Sequence, residues 1–336
     1  MRIAANMAPP GSTKVEAHED KRVGALDLTE LGLGAAQLGN LYQEVSDGEA
    51  LLTVESAWDA GIRYFDTAPH YGLGLSELRL GNALRGRPRG DYVVSTKVGR
   101  RLVASPESGH LVDEGFAVNA SHKRVWDFSR DGIRRTLDES LGRLGLDRVD
   151  IVYLHDPDDH WAEASTTGMD ALVELRNEGV VGAVGVGMNS SAMAAEFVKQ
   201  CDVDIVMIAG RYTLLDQSAA ADLLPAALEH GVAVVAAGVY NSGLLSTARL
   251  TEGAMFDYAP ASIDLVRRAK EIAEICERFD VSLPEAAIAF PLRHPAVASV
   301  VLGARSATQA KTNVERYEKQ VPDELWGALD EAASSA

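Results

Sequence analysis

Asp66, Tyr71, Lys97 and His155 are four residues of kinds that together can move a proton at an oxygen atom. A tyrosine hydroxyl titrates near pH 10, so alone it is a reluctant base at neutrality. A lysine ammonium beside it favours the tyrosinate, and an aspartate can hold that lysine in place. Lowering the tyrosine pKa by about two to three units takes roughly 3–4 kcal/mol of differential interaction, which a partly buried charge pair supplies. A neutral histidine at the same place orients a substrate oxygen by hydrogen bonding. Such a set suits proton transfer at a carbinol or carbonyl oxygen while a hydride moves at the carbon, the hydride being the work of a nicotinamide. The plainer reading is that Asp66 caps the following helix or merely pairs with Lys97, and that Tyr71 packs over a loop.

Position favours the chemical reading. Arg63-Tyr64-Phe65 is a short run of β character ending on Asp66, and Tyr71 follows in a Pro/Gly-punctuated loop, Thr67-Ala68-Pro69-His70-Tyr71-Gly72. Residues 92–97 form an apolar strand that ends in Lys97, and residues 149–154 form one that runs into His155. Three polar groups thus stand at the carboxyl ends of three successive predicted strands. In a parallel α/β barrel those ends converge on one face, where the chemistry sits.

Helix and strand alternate along the rest of the chain. Strands are predicted at 31–36, 63–65, 92–97, 149–154, 180–186, 203–208, 232–236 and 298–302. Helices are predicted at 47–60, 76–84, 129–144, 166–177, 190–199, 218–229, 262–279, 282–293 and 307–317. The strands are short and nearly all apolar, as strands buried on both faces must be. Eight strands with following helices are the count of a (β/α)8 TIM barrel, one domain over residues 22–336. A small hairpin is expected at 22–30, and residues 1–21 are expected to be flexible. Residues 100–128, after the third strand, lack periodicity and read as a long binding loop or lid.

With 49 acidic against 32 basic residues the net charge is −17, which opposes binding to nucleic acid or an anionic membrane. No apolar run reaches the length of a signal sequence or of a membrane helix, so a cytoplasmic protein is expected, a monomer or small homo-oligomer. Cys201 and Cys276 form neither a metal spacing nor a disulfide framework, and no metal site is expected. Gly72-Leu73-Gly74 and Gly185-Val186-Gly187 imitate phosphate loops. Each lacks the third glycine of a dinucleotide fingerprint and the acidic residue about 20 positions on, so a Rossmann domain is rejected.

Over roughly residues 22–320 the sequence resembles the aldo-keto reductases. Asp66, Tyr71, Lys97 and His155 match that family's catalytic tetrad in order. Ser299-Val300-Val301-Leu302-Gly303-Ala304-Arg305, followed by Gln309 and Asn313, is similar to the segment that holds the adenosine end of NAD or NADP. A strand leading through glycine into a helix N-terminus is also a favourable phosphate site. Asn189 matches the asparagine that binds the nicotinamide carboxamide. The resemblance further implies cofactor contacts from Gly34, Ala35, Gly238, Asn241, Ser242, Gly243 and Leu244.

Leu38-Gly39-Asn40-Leu41-Tyr42, His155-Asp156-Pro157-Asp158-Asp159-His160, Ala209-Gly210-Arg211-Tyr212-Thr213-Leu214-Leu215 and Gly238-Val239-Tyr240-Asn241-Ser242-Gly243 are similar to the D-threo-aldose (L-fucose) 1-dehydrogenase branch, which includes pyridoxal 4-dehydrogenase-like members. Met188, Ala209 and Ala237 stand where the wider family usually carries Ser, Gln and Tyr around the nicotinamide. The resemblance implies oxidation of an aldose at C1 to the aldonolactone, or action on pyridoxal or another small carbonyl. A cofactor-binding regulatory role is the remaining class. Trp126, Asp156, Arg211 and Asn241 are the candidate sugar contacts, each with a structural reading beside it. Arg305 suits a 2′-phosphate, whereas Gln309 replaces an Arg carried by some NADP-selective relatives.

Overall fold

A computed structural model describes residues 21–105, 114–247, 255–257 and 259–334. The expectation for residues 1–21 therefore falls, but for Lys21, outside the described residues. Eight parallel strands close into a barrel: β1 (Leu31–Gly34), β2 (Tyr64–Asp66), β3 (Val93–Val98), β4 (Ile151–His155), β5 (Ala183–Met188), β6 (Ile205–Ala209), β7 (Ala233–Ala237) and β8 (Val297–Gly303). Each strand pairs with its neighbours in sequence, and β8 returns to β1 with Gly303 opposite Gly34. This is the (β/α)8 TIM barrel expected from the alternation.

Strands of this kind read as apolar runs because both faces are covered. One buried cluster fills the barrel: Tyr64, Val93, Ile151, Tyr153, Ile205, Met207, Val235 and Val301, joined by Val23 and Leu28. The last two belong to the hairpin of Lys21–Val23 and Leu26–Leu28, which closes the amino-terminal end of the barrel as a plug. The outward faces of the strands pack against a ring of helices: α1 (Asp47–Asp59), α2 (Leu75–Leu84), α3 (Arg130–Leu144), α4 (Met169–Asn177), α5 (Ser191–Gln200), α6 (Leu223–His230), α7 (Ile263–Glu277), α8 (Leu283–Leu292), α9 (Ala307–Tyr317) and α10 (Asp323–Ser334). Serine starts many of them. Ser46 with Glu49 and Ser282 with Glu285 form capping boxes, and Ser129, Ser190, Ser262 and Ser306 each accept a backbone N–H. Each such cap satisfies an end-of-helix donor and adds about 1 kcal/mol.

Three elements differ from expectation. Residues 100–128 hold an antiparallel hairpin, Arg100–Ala104 with Trp126 paired to Arg100 and His122 paired to Ala104. Only Leu102 of its ten strand residues is fully buried, so no period-2 pattern marks it. The predicted helix at 218–229 breaks into a 3-10 turn (Ser218–Ala220) and α6, with Asp222 accepting from the Leu223 N–H at the junction. Helix α10 lies beyond the last predicted element, held by buried Leu325 and Trp326.

Helix α2 is pinned beside the site. Glu77 is fully buried and accepts from Thr96 Oγ1 on β3 at 2.7 Å and from Arg143 Nε on α3 at 2.6 Å. Among the described residues no helix is long and apolar enough to cross a membrane, and no group of His, Cys, Asp and Glu could hold a metal ion.

Candidate active site

The barrel topology delivers Asp66 as the last residue of β2, Lys97 near the end of β3 and His155 as the last of β4, all at the carboxyl-terminal mouth. Tyr71 arrives on the β2–α2 loop. Gly39 and Gly72 hold that loop down: a Cβ on Gly72 would lie 2.2 Å from the Gly39 carbonyl oxygen, and one on Gly39 would lie 2.6 Å from the Tyr71 carbonyl. Gly72 also sits at φ +64°, where other residues are strained.

The Lys97 ammonium spends its three protons on Asp66 Oδ2 at 2.6 Å, the Thr67 carbonyl at 3.0 Å and Tyr71 Oη at 3.0 Å. An ammonium has no lone pair, so Tyr71 Oη accepts this bond and its own proton points elsewhere. No other side chain among the described residues takes that proton, and Tyr71 lines the cavity at the barrel mouth. Asp66 does not cap a helix. Its Oδ1 accepts from Ser95 Oγ at 2.7 Å, which leaves Ser95 to accept from Tyr64 and Tyr64 to accept from Tyr153, at 3.1 and 3.2 Å. Three hydroxyls buried in the barrel thus end on the carboxylate that holds the lysine.

Electrostatics in the site follow from burial and this pairing. Burial lowers the Lys97 pKa, but the Asp66 carboxylate and Tyr71 oxygen outweigh it and raise it, so the group stays charged. Burial pushes the Tyr71 hydroxyl above the ordinary tyrosine value, and the Lys97 ammonium pulls it back only in part, with Asp66 and Asp156 adding to the rise. The direction is opposite to the sequence expectation, because burial of the largely enclosed hydroxyl outweighs the lysine's pull and the aspartate that holds the lysine also offsets its charge. His155 is held well below the usual histidine range by burial, then by Lys97, His70 and the two guanidiniums of Arg100 and Arg124. It is therefore a neutral ring, 5.9 Å from Tyr71 between centroids.

Around these groups lies a cavity of 610 Å³ that reaches Gly34, Gln37, Tyr42, His70, Phe116, Asp156, Asn189, Ala209, Ala237 and Gly303. It continues into a narrower cleft of 260 Å³ toward Gly238, Asn241, Ser242, Gly243 and Arg305, sharing Gln37, Asn189 and Gly303. A groove of 490 Å³ elsewhere, between α7, α8 and α10, carries none of this chemistry.

Two buried oxygens in the cleft, Asn241 Oδ1 and Gln37 Oε1, have no hydrogen-bond partner. Buried unpaired polar atoms cost about 1–3 kcal/mol each, which a polar ligand in the cleft would recover. Asn241, Ser242 and Gly243 all have positive φ, and Arg305 makes no ion pair among the described residues. The two orphaned oxygens would accept from ligand N–H or O–H groups and Arg305 suits an anion, so an elongated molecule carrying both, such as a nicotinamide dinucleotide, fits these residues.

Not every predicted contact faces the cavity. Ala35 is buried with its N–H bonded to the Asp66 carbonyl, and Ala36 reaches the cavity instead, since successive residues point to opposite sides. Leu244 packs into the apolar core. Gln309 accepts from the Arg305 N–H, and Asn313 joins Tyr240 to the Gly303 carbonyl, so both brace the cleft without lining it. Trp126 turns away: it stacks on Phe128 at 5.8 Å and lies 4.7 Å from His160, with Arg100 over its face. Asp156 lines the cavity but accepts from Arg100 Nη1 at 3.2 Å. Arg211 lines the cleft and is spent on the Asn189 carbonyl, Asp216 and Asp257. Gln37, Tyr42, His70 and Phe116 escaped the sequence reading, although His70 stands beside Tyr71 in its loop.

Residues 30–334 match the sequence model of the aldo/keto reductase family. The chain belongs to that family. This aldo/keto reductase is 47% identical to a D-threo-aldose 1-dehydrogenase from a Pseudomonas species, over 91% of the chain and 94% of the relative. It is 40% identical to a pyridoxal 4-dehydrogenase from Microbacterium luteolum, over 94% of the chain and 97% of the relative. Among solved structures, the holo form of an aldo-keto reductase from Bacillus halodurans superposes with a TM-score of 0.74 at 29% identity, covering 93% of this chain and 95% of that one.

Proposed function

We propose that this aldo/keto reductase oxidises an aldose at C1 to the aldonolactone, with Tyr71, Lys97, Asp66 and His155 as the working set. The observation that carries the proposal is the Tyr71 hydroxyl, which accepts from Lys97 and presents its other side to the cavity. The similarity to a D-threo-aldose 1-dehydrogenase supports an aldose as the substrate. A bound oxidised nicotinamide, NAD or NADP, supplies the hydride acceptor. Gln37, Asn189, Gly238, Asn241 and Gly303 would hold it, with Arg305 at the outer end of the cleft.

In the oxidative direction Tyr71 Oη, as tyrosinate, takes the proton of the anomeric hydroxyl as C1 loses its hydride and the C1–O bond becomes a carbonyl. Lys97 stabilises the phenolate, and Asp66 with the hydroxyl chain behind it keeps Lys97 in place. Neutral His155 donates a hydrogen bond to the same sugar oxygen. In reduction the roles reverse and the protonated tyrosine acts as the acid.

The pH dependence follows from the signs of the shifts. Oxidation needs the deprotonated tyrosine, whose pKa lies above the usual value, so kcat/KM should climb with pH by up to about tenfold per unit through neutrality into the alkaline range. Because His155 and His70 are neutral throughout, no histidine limb should appear at about pH 6–7. A profile that levels off with an inflection there would move the base from Tyr71 to a histidine.

Replacing His155 with Gln should lower kcat/KM by about 10²-fold with cofactor affinity retained, the loss typical of one donor aimed at a reacting oxygen. Unchanged kcat/KM would remove His155 from the reaction.

The direct test follows absorbance at 340 nm with NAD⁺ or NADP⁺ and L-fucose, D-arabinose, L-galactose or pyridoxal. Reduction of one cofactor with a sugar is the expected result and names the cofactor. Silence on every sugar with turnover of pyridoxal would keep the chemistry and replace the substrate, as the 40% identical relative makes conceivable. Tight cofactor binding with no turnover of anything would point to a binding role.

A further inference from the structure

His70 has no part in the mechanism above, yet it is the group most tightly prepared for one. Its Nδ1 receives a hydrogen bond from Arg124 Nε, and its carbonyl receives a second from Arg124 Nη2 at 3.1 Å. An arginine nitrogen only donates. The ring nitrogen facing it is therefore unprotonated, and the imidazole proton sits on Nε2. Burial and the guanidiniums of Arg100 and Arg124 push the His70 pKa down to about 2, so the ring remains a neutral single donor. Phe116 packs edge-on against it at 5.3 Å, fixing its plane. Nε2 finds no partner among the described residues, and His70 lines the 610 Å³ cavity. Its ring centroid lies 5.4 Å from His155 and 6.0 Å from Tyr71.

The tautomer is set from outside the barrel. Arg124 lies on the hairpin strand His122–Trp126 and is almost fully buried. Glu114 pairs with Arg124 Nη1 at 3.3 Å and with Arg100 at 3.0 Å, and Asp156 takes the other Arg100 nitrogen. Among the described residues two guanidiniums thus face two carboxylates, and His70 and His155 stand beside them as neutral donors.

We propose that His70 is a specificity-determining residue: Arg124 locks it as an Nε2–H donor that reads the hydroxyl on the carbon next to the one oxidised, so the site selects uncharged α-hydroxy substrates. His155 and His70 then address neighbouring oxygens of one sugar, with Tyr71 at the third corner of the triangle their rings form. Arg124 is the positioning residue, acting through His70. The proposal rests on the aldose reading of the site and deepens it.

The test compares an aldose with its 2-deoxy counterpart, which keeps the anomeric carbon and lacks only the neighbouring hydroxyl. The wild-type enzyme should favour the complete sugar by about 10- to 100-fold in kcat/KM, the range for one well-placed hydrogen bond. His70→Phe should shrink that ratio toward unity by losing far more on the complete sugar than on the deoxy sugar. Arg124→Met should shrink it too, and the double variant should be no worse than His70→Phe alone. His70→Gln, which keeps a donor, should recover part of the ratio. Additive losses in the double variant would separate Arg124 from His70 and overturn the lock. A wild-type enzyme indifferent to the 2-hydroxyl overturns the proposal without any variant, as does a His70→Phe enzyme whose ratio is unchanged. In both cases the aldose reading stands, whereas no turnover of either sugar overturns the two together.

Discussion

Tyr71→Phe should lower turnover in both directions by about 10²- to 10⁴-fold, the span associated with loss of a positioned acid–base group. The variant keeps the ring, and with it the stacking on Phe116 at 6.1 Å and the edge contact with His155. It removes the hydroxyl that accepts from Lys97 and faces the cavity. Cofactor affinity should stay close to wild type, because the narrower cleft does not include Tyr71. Steady-state kinetics and a cofactor titration on the same preparation separate the two quantities. A folded, cofactor-binding Tyr71→Phe enzyme with near-wild-type turnover would end the assignment. The expected loss is kinetic, since the fold gives up one hydrogen bond.

Lys97→Met should do both kinds of damage. Asp66 and Lys97 are almost entirely buried and 2.6 Å apart, so removing the ammonium strands a carboxylate in the barrel with Ser95 as its remaining side-chain donor. Breaking such a pair costs about 3–5 kcal/mol, more than most point changes. Turnover should fall by about 10³-fold as the tyrosinate loses its stabilising charge. The double variant Asp66→Asn, Lys97→Met distinguishes the two effects. It no longer buries a lone charge, so thermal stability should recover in part, while turnover should not recover at all. Stability and activity returning together would mean that the pair is structural alone. Retention of wild-type melting by Lys97→Met would contradict the burial argument.

Both expectations arise from one arrangement. A carboxylate needed to hold a buried ammonium also weakens that ammonium's pull on the neighbouring hydroxyl. Tyr71 is therefore kept protonated near neutrality, ready as an acid, and becomes a base only as pH rises. Burial, with the charges of Lys97, Arg100 and Arg124 adding to it, holds the two nearby histidines neutral, so each can serve as a fixed donor instead of a proton carrier.

The barrel and the meeting of Asp66, Tyr71, Lys97 and His155 at its mouth were legible in the residues themselves. Short apolar runs alternating with serine-capped helices allow few arrangements, and closing a parallel sheet brings all strand ends to one face whatever the loops do. The family resemblance, not the pattern, pointed to Gly238 and Gly243, which line the narrower cleft together with Gly303. Direction within the loops belonged to the tertiary structure alone. Ala35 or Ala36 facing the cavity is a matter of one step in backbone rotation, and Trp126 turning to Phe128 rather than inward is a matter of hairpin register. The hairpin itself pairs residues far apart in sequence with little buried surface to mark them. The sign of the Tyr71 shift and the tautomer of His70 depend on sums of burial and charge from elements distant in the chain. Local sequence states which groups are present, and only their packed distances decide which of the opposing effects wins.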